Sequence, residues 1–257
     1  MLLALDVGNT NVHFGVFQGP ELLTHGDISN SRERTADELG LLLTQLLLSR
    51  GIYASAVRAA AIASVVPMVT GTVLAAVTAA FDVEAFVLGA GADLGVGVRY
   101  DDPREVGADR LANAVGGFAR YGGPLIVVDF GTATTFDVVS RKGEYIGGVI
   151  CPGIGISADA LFQRAARLPR VDVRNPGRVI GRSTVGSIQS GLFFGYASMV
   201  EGIIGRIRAE LKEPARVVAT GGLAETLARA VPSIEAVDGA LTLTGLRLIW
   251  ERNQAVK

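Results

Sequence analysis

One pattern occurs twice in this chain, and it limits the fold more than any other feature. The first copy is Leu2-Leu3-Ala4-Leu5-Asp6-Val7-Gly8-Asn9-Thr10-Asn11, and the second is Leu125-Ile126-Val127-Val128-Asp129-Phe130-Gly131-Thr132-Ala133-Thr134. Each has four apolar residues, an Asp, one apolar residue, then Gly and small polar residues. Asp6 and Asp129 lie 123 positions apart, as do Gly8 and Gly131. An uninterrupted apolar run of this length reads as a strand buried on both faces. Val12 to Phe17 and Thr135 to Val139 read as return strands, so each turn closes a hairpin. Third strands follow at Glu21 to Ile28 and Glu144 to Ile150. The repeat predicts two similar α/β domains, 1–117 and 118–257, each a mixed sheet flanked by helices. Each would offer a hairpin to a cleft between them.

Gly8 allows positive φ and close backbone approach to a ligand. Amides in such a turn form a concavity for anions, and Asp6 suits a hydrated cation held against phosphate. A single copy reads equally as a hairpin whose Asp caps its own turn. Two coincident copies favour phosphate binding.

The remaining sequence narrows the setting. At 257 residues, 49% of them hydrophobic, the chain can bury a sizeable core. A net charge of −1 argues against a nucleic-acid face. The single cysteine, Cys151, excludes an intrachain disulfide framework and fits a reducing cytoplasm. It reads as packing, since neither histidine, His13 or His25, lies near it in sequence. Residues 59–81 carry no charge, but Pro67 and Gly71 interrupt them, so a strand and an alanine-rich helix are expected rather than a membrane span. The start of the chain has no basic n-region, so no signal peptide is expected.

Several stretches carry candidate chemistry. The glycine- and charge-rich residues 89–107 read as a long functional loop. They miss the dinucleotide fingerprint by one residue, and the sequence contains no Walker A loop. Gly107-Ala108-Asp109-Arg110 opens a helix over 108–121. Asp109 there serves either the helix dipole alone or as an acceptor for a hydroxyl proton, and Arg110 can grip a carboxylate. Pro152-Gly153 precedes a helix at 154–166 whose N-terminus suits a phosphate. A basic irregular stretch, 168–182, leads to a helix from Thr184 to Leu211, with Ser183 or Thr184 as its N-cap. Leu192, Phe193, Phe194, Tyr196 and Met199 give that helix surplus apolar surface, which suggests packing on a second chain. Thr220-Gly221-Gly222 is a turn that lets a ring or phosphate approach the backbone.

Taken together, the motifs resemble the actin, Hsp70 and sugar-kinase superfamily of two RNase H-like domains. More narrowly they resemble the type III pantothenate kinases. The matching residues are Asp6 to Asn11, Tyr100 with Pro103, Gly107 to Asn113, Asp129 to Thr135, Gly147-Gly148 with Ile150 and Pro152-Gly153, Thr184 with Gly191, and Thr220 to Gly222. The resemblance implies ATP-dependent phosphorylation of pantothenate, the first step of coenzyme A biosynthesis. It implies that Asp6, Val7, Gly8, Asn9, Thr10, Asn11, Val12, His13 and Thr132 bind ATP, and that Asp129 binds a monovalent cation, K⁺ or NH₄⁺. Tyr100, Gly107, Ala108, Asp109, Arg110 and Thr184 would line the pantothenate pocket, with Asp109 as general base. Mg²⁺ and a cytoplasmic homodimer without nucleic-acid or membrane partners complete the implied picture. The rival readings are another small-molecule kinase of the superfamily and a nucleotide-binding regulator without turnover.

Overall fold

The computed structural model describes residues 1–254; the last three lie outside the described chain. Among the described residues, the first compact unit comprises 1–116 and 240–254. Its elements are β1 (Leu2–Val7), β2 (Asn11–Gln18), β3 (Glu21–Ser29), α1 (Ala36–Leu48), β4 (Ala59–Ser64), α2 (Pro67–Phe81), β5 (Ala85–Val87) and the start of α3 (Ala108–Tyr121). The second unit, Gly117–Gly239, holds β6 (Leu125–Phe130), β7 (Ala133–Val139), β8 (Tyr145–Pro152), α4 (Ile154–Arg164), α5 (Thr184–Leu211), β9 (Arg216–Thr220), α6 (Ala224–Ala228) and β10 (Ala236–Val237). The final helix, α7 (Leu241–Gln254), returns to the first unit.

The sheets share one plan. Their orders are β3-β2-β1-β4-β5 and β8-β7-β6-β9-β10, with the first three strands antiparallel and the others parallel. The expected pair of mixed α/β domains is therefore present. Each central strand is buried on both faces, as its unbroken apolar run requires. Leu3, Leu5 and Val7 of β1 pack with Leu39, Leu43 and Leu47 of α1 and with Val73 and Val77 of α2. On the other face, Leu2 and Ala4 pack with Leu243, Leu246 and Ile249 of α7.

That second packing corrects the expected domain limits. A C-terminal domain of 118–257 would include α7, yet the apolar face of α7 fills the open side of the first sheet. Glycines permit a close crossing of α7 with α3. A Cβ on Gly245 would lie 1.8 Å from the Ala112 carbonyl oxygen, and one on Gly116 would lie 2.6 Å from that of Leu241. Next to the crossing, the buried Thr242 hydroxyl donates to Asn113 Oδ1 at 2.7 Å.

Local signals explain most boundaries. α1 starts at Ala36 because Thr35 and Glu38 close a reciprocal capping box. Pro67 occupies the first turn of α2, where its missing N–H costs nothing. The uncharged residues 59–81 become β4 and α2, and among the described residues no helix is long and apolar enough to cross a membrane.

Candidate active site

In the first unit, the hairpin of β1 and β2 pairs Asp6 directly with His13, and His13 with Asp27 of β3. His13 Nδ1 lies 2.6 Å from Asp27 Oδ1, while the buried Nε2 meets no hydrogen-bonding partner among the described residues. The turn is closed by the Gly8 N–H donating to the Asn11 carbonyl at 2.9 Å. Gly8 is not among the positive-φ glycines, contrary to the use expected for it. Its small size matters instead, because a Cβ there would come within 3.3 Å of the Asn11 carbonyl oxygen.

The start of α3 is tied to the same hairpin through Val65. Its N–H donates to the Val7 carbonyl at 3.1 Å, and its side chain would meet a Cβ on Gly107 at 3.3 Å. Gly107 also makes room for the adjacent acid, since that Cβ would lie 2.5 Å from Asp109 Oδ1. Asp109 sits half-buried in the first turn of α3, and its Oδ1 accepts the Arg110 N–H at 2.7 Å. Burial raises the Asp109 pKa. The Arg110 N–H, the Arg110 charge and its own amide oppose that rise less strongly. A carboxyl so placed is a better proton acceptor than an exposed one. Arg110 is buried and Tyr100 half-buried, and both belong to the same unit as the first hairpin.

The long loop before α3 is anchored rather than free. Asp93 and Asn253 of α7 exchange two hydrogen bonds, from the Asp93 N–H at 3.0 Å and back to the Asp93 carbonyl at 2.9 Å. Arg252 adds an ion pair to Asp93 at 3.3 Å. Beneath the loop, a cavity of about 370 Å³ is lined by Leu94, Val96, Val98, Pro103, Arg104 and Leu111, among others.

In the second unit, Asp129 ends β6 opposite Thr135 of β7 and beside Thr220 of β9. The second turn is one residue shorter than the first, because Asp6 pairs seven positions on with His13 and Asp129 six positions on with Thr135. The return strands therefore correspond with a shift of one from the spacing of the two Asp residues. Gly221 has φ +88° and covers the Asp129 carboxyl: a Cβ there would sit 2.4 Å from Asp129 Oδ1. The Thr-Gly-Gly turn thus packs its backbone directly against the Asp129 carboxyl. No cluster of three or more His, Cys, Asp or Glu side chains suited to a metal occurs among the described residues.

Thr132 is exposed on the second turn, and its carbonyl accepts the Gly153 N–H at 3.1 Å. Any side chain at Gly153 would collide with that carbonyl, its Cβ lying 2.1 Å away. Gly153 is also the N-cap of α4, so the helix N-terminus abuts the second hairpin. Tyr196 of α5 holds this junction. Its hydroxyl contacts Ser157 Oγ and reaches the Pro152 and Gly153 carbonyls at 3.0 and 3.1 Å. Leu192 and Phe193 are core residues, and Phe194, Tyr196 and Met199 pack against the same core. Leu192 and Phe193 are spent on the core of their own unit, while Phe194, Tyr196 and Met199 remain half-buried. Thr184 is exposed as the first residue of α5, after Ser183, whose Oγ accepts the Gly186 N–H at 3.1 Å. Close by, Arg174, Arg178, Arg182, Ser183 and Gly186 line a pocket of about 420 Å³. Burial raises the Cys151 pKa, which suits packing rather than a nucleophile.

Two repeated mixed sheets, each with an Asp-bearing hairpin, make up a two-domain fold of the kind seen in sugar kinases. Solved structures share it. One is the ROK hexokinase of Thermus thermophilus, with a TM-score of 0.51 and 16% identity over 96% of this chain and 97% of that one. Another is the activator of 2-hydroxyisocaproyl-CoA dehydratase from Clostridium difficile, with a TM-score of 0.56 and 12% identity over 100% and 98%. At such identities the likeness concerns the fold alone. The sequence is more specific. The family model for type III pantothenate kinase matches residues 2–206. The chain is 51% identical over 253 residues to the type III pantothenate kinase of Moorella thermoacetica, covering 98% of this chain and 100% of that one. It is 52% identical over 255 residues to that of Myxococcus xanthus, at 99% and 100% coverage. The chain belongs to the type III pantothenate kinase family.

Proposed function

We propose that this protein transfers the γ-phosphoryl group of ATP to the primary hydroxyl of pantothenate, yielding 4′-phosphopantothenate for coenzyme A synthesis in the cytoplasm. The observation that carries the mechanism is Asp109. It is a half-buried carboxyl with a raised pKa, in the same unit as the first hairpin. Asp109 takes the hydroxyl proton as the new P–O bond forms. Arg110 pairs with the pantothenate carboxylate, and Tyr100 and Thr184 complete that pocket. Residues Asp6 to His13 and Thr132 hold the phosphates, largely through turn amides, and the N-terminus of α4 adds its dipole beside Thr132.

Two cations belong to this proposal. Among the described residues Asp6 and Asp129 belong to no cluster of three or more His, Cys, Asp or Glu side chains suited to a metal, so an ion at either would take its other oxygens from phosphate, carbonyls and water. Mg²⁺ at Asp6 and K⁺ or NH₄⁺ at Asp129 would offset the charge of the triphosphate.

A homodimer is also proposed. The second unit exposes Ile150, Ile156, Phe162, Val179, Ile180 and Val185, and Ile180 is 81% exposed. Val179, Ile180 and Val185 flank Thr184 in the chain, and this exposed apolar segment is the surface assigned to the second protomer. Incubation with ATP, Mg²⁺, K⁺ and pantothenate should yield 4′-phosphopantothenate by mass spectrometry. Transfer to a sugar or to acetate but not to pantothenate would overturn the assignment of substrate. ATP binding without any transfer would favour the regulator.

A further inference from the structure

Asn30 follows β3 and carries no role in the functional picture so far, yet it grips the first hairpin twice. Its N–H donates to the Thr10 carbonyl at 2.7 Å, and its side-chain Nδ2 donates to the Gly8 carbonyl at 2.7 Å. The repeat shows what is special here. At the equivalent place in the second unit, the Gly153 N–H donates to the Thr132 carbonyl, but no side chain is present and none would fit. There the shorter turn is buttressed by the start of α4. In the first unit the turn is longer, no helix begins at Asn30, and a side-chain amide takes the helix's place.

The peptide group that Asn30 holds is the one that matters for an anion. The Gly8–Asn9 bond is trans and planar, so its N–H points opposite to its carbonyl. With the carbonyl bound by Asn30, the Asn9 N–H is directed to the other side, where Asn9 is exposed. Glycine makes a flip of this peptide inexpensive. A flipped peptide would present a carbonyl oxygen where the N–H had been, and that oxygen repels phosphate. We infer that Asn30 is a positioning residue, whose side-chain amide locks the Gly8–Asn9 peptide so that an N–H and not a carbonyl meets the nucleotide phosphates.

This inference rests on the kinase assignment for its ligand, and the test separates the two. Asn30→Asp keeps the shape but replaces the donor by a carboxylate facing the Gly8 carbonyl. At about pH 7.5 the variant should bind ATP roughly tenfold more weakly than wild type. Near pH 5 roughly one in ten of the introduced carboxyls is protonated and can donate again, so the deficit should shrink to about sixfold. Asp6 on β1, His13 on β2, Asp27 on β3 and the nearby Arg34 are common to both proteins, so the ratio isolates the new carboxyl. The KM for pantothenate should stay within about twofold, whereas a merely structural role would weaken both substrates together. Asn30→Ala should give a deficit that does not vary with pH. Without nucleotide, the Gly8 carbonyl carbon resonance should also move in both variants. ATP affinity within twofold of wild type at pH 7.5, a deficit that ignores pH in Asn30→Asp, or an unmoved Gly8 resonance would overturn the lock. A wild-type protein that binds no ATP would instead sink the kinase assignment, and the Gly8 resonance would still decide the lock.

Discussion

Replacing Asp109 by Asn removes the proposed base and one negative charge at nearly constant volume. The Asn amide oxygen can still accept the Arg110 N–H now bound at 2.7 Å, so the start of α3 should survive. Loss of a general base commonly costs about 10²–10⁴-fold in rate, or roughly 3–5 kcal/mol of barrier. Stability should move the other way. Burial is the largest influence on Asp109 and holds its folded pKa above the ordinary 3.8. For an acid with a raised folded pKa, the stabilising contribution is complete below the unfolded pKa and is lost as pH rises through the folded value. At pH 7 the ionised carboxyl therefore costs stability that the amide does not. The helix dipole limits this gain, since it favours the charge by about 0.3–1 kcal/mol. Asp109→Asn should thus melt at a higher temperature than wild type at pH 7, with the difference fading as pH approaches about 4. Steady-state kinetics and melting curves across pH measure both effects. In wild type, the acidic limb of kcat/KM should lie above the ordinary carboxylate range. Activity within tenfold of wild type would remove Asp109 as the base, and a variant less stable at pH 7 would refute the argument from burial.

Other consequences can be checked independently. Turnover should need a cation of K⁺ size, and Asp129→Ala should weaken that dependence together with ATP use; equal rates in K⁺ and in a bulky organic-cation buffer would exclude the site. Gly153→Ala pushes a Cβ to within 2.1 Å of the Thr132 carbonyl, so the KM for ATP should rise about tenfold with the pantothenate KM little changed; an unaltered KM for ATP would separate that junction from phosphate binding. Gly245→Ala should cost about 1–3 kcal/mol in denaturant unfolding, because the helix crossing cannot accept a methyl at 1.8 Å from the Ala112 carbonyl; a neutral result would mean that the crossing is looser. Asp109→Asn mixed with Thr184→Trp should regain activity approaching half of wild type per heterodimer if the two residues meet from different protomers, whereas verified heterodimers as inactive as their parents would rule out a shared site.

Much of the fold was legible because its information is local. The doubled apolar run and Asp-x-Gly turn predicted both hairpins, and the three antiparallel strands of each sheet follow from it. The start of α1 is also set locally, by the capping box of Thr35 and Glu38. The destination of α7 was not legible. Its apolar face is compatible with either sheet, and nothing in a helical repeat of leucines names the partner. What selects the first unit is the backbone crossing at Gly116 and Gly245, and glycine has no side chain to advertise a contact. The large residues of α5 were only partly legible for a related reason. A count of apolar side chains does not reveal that a helix of 28 residues has its own core to fill along most of its length.

The candidate site divides along the same line. Asp109 and the hairpin turns are visible because chemistry and spacing lie within a few residues of one another. The side chains that hold those turns act across long separations: Asn30 reaches back 22 residues to Gly8, and Tyr196 reaches back 43 to Gly153. Neither belongs to a motif, and comparing the two repeats by sequence hides them further. Asn30 corresponds to Gly153, so an alignment pairs an amide with a residue that has no side chain. Both nevertheless donate an N–H to the same turn carbonyl in the two units. The backbone bond is the shared part of the design, and the side chain records how each unit solved the remaining problem. The second turn is short and has a helix behind it, so bulk must be absent there. The first turn is one residue longer and has no helix behind it, so a donor must be supplied, and that difference makes Asn30 the position where the two halves of the repeat should respond most differently to mutation.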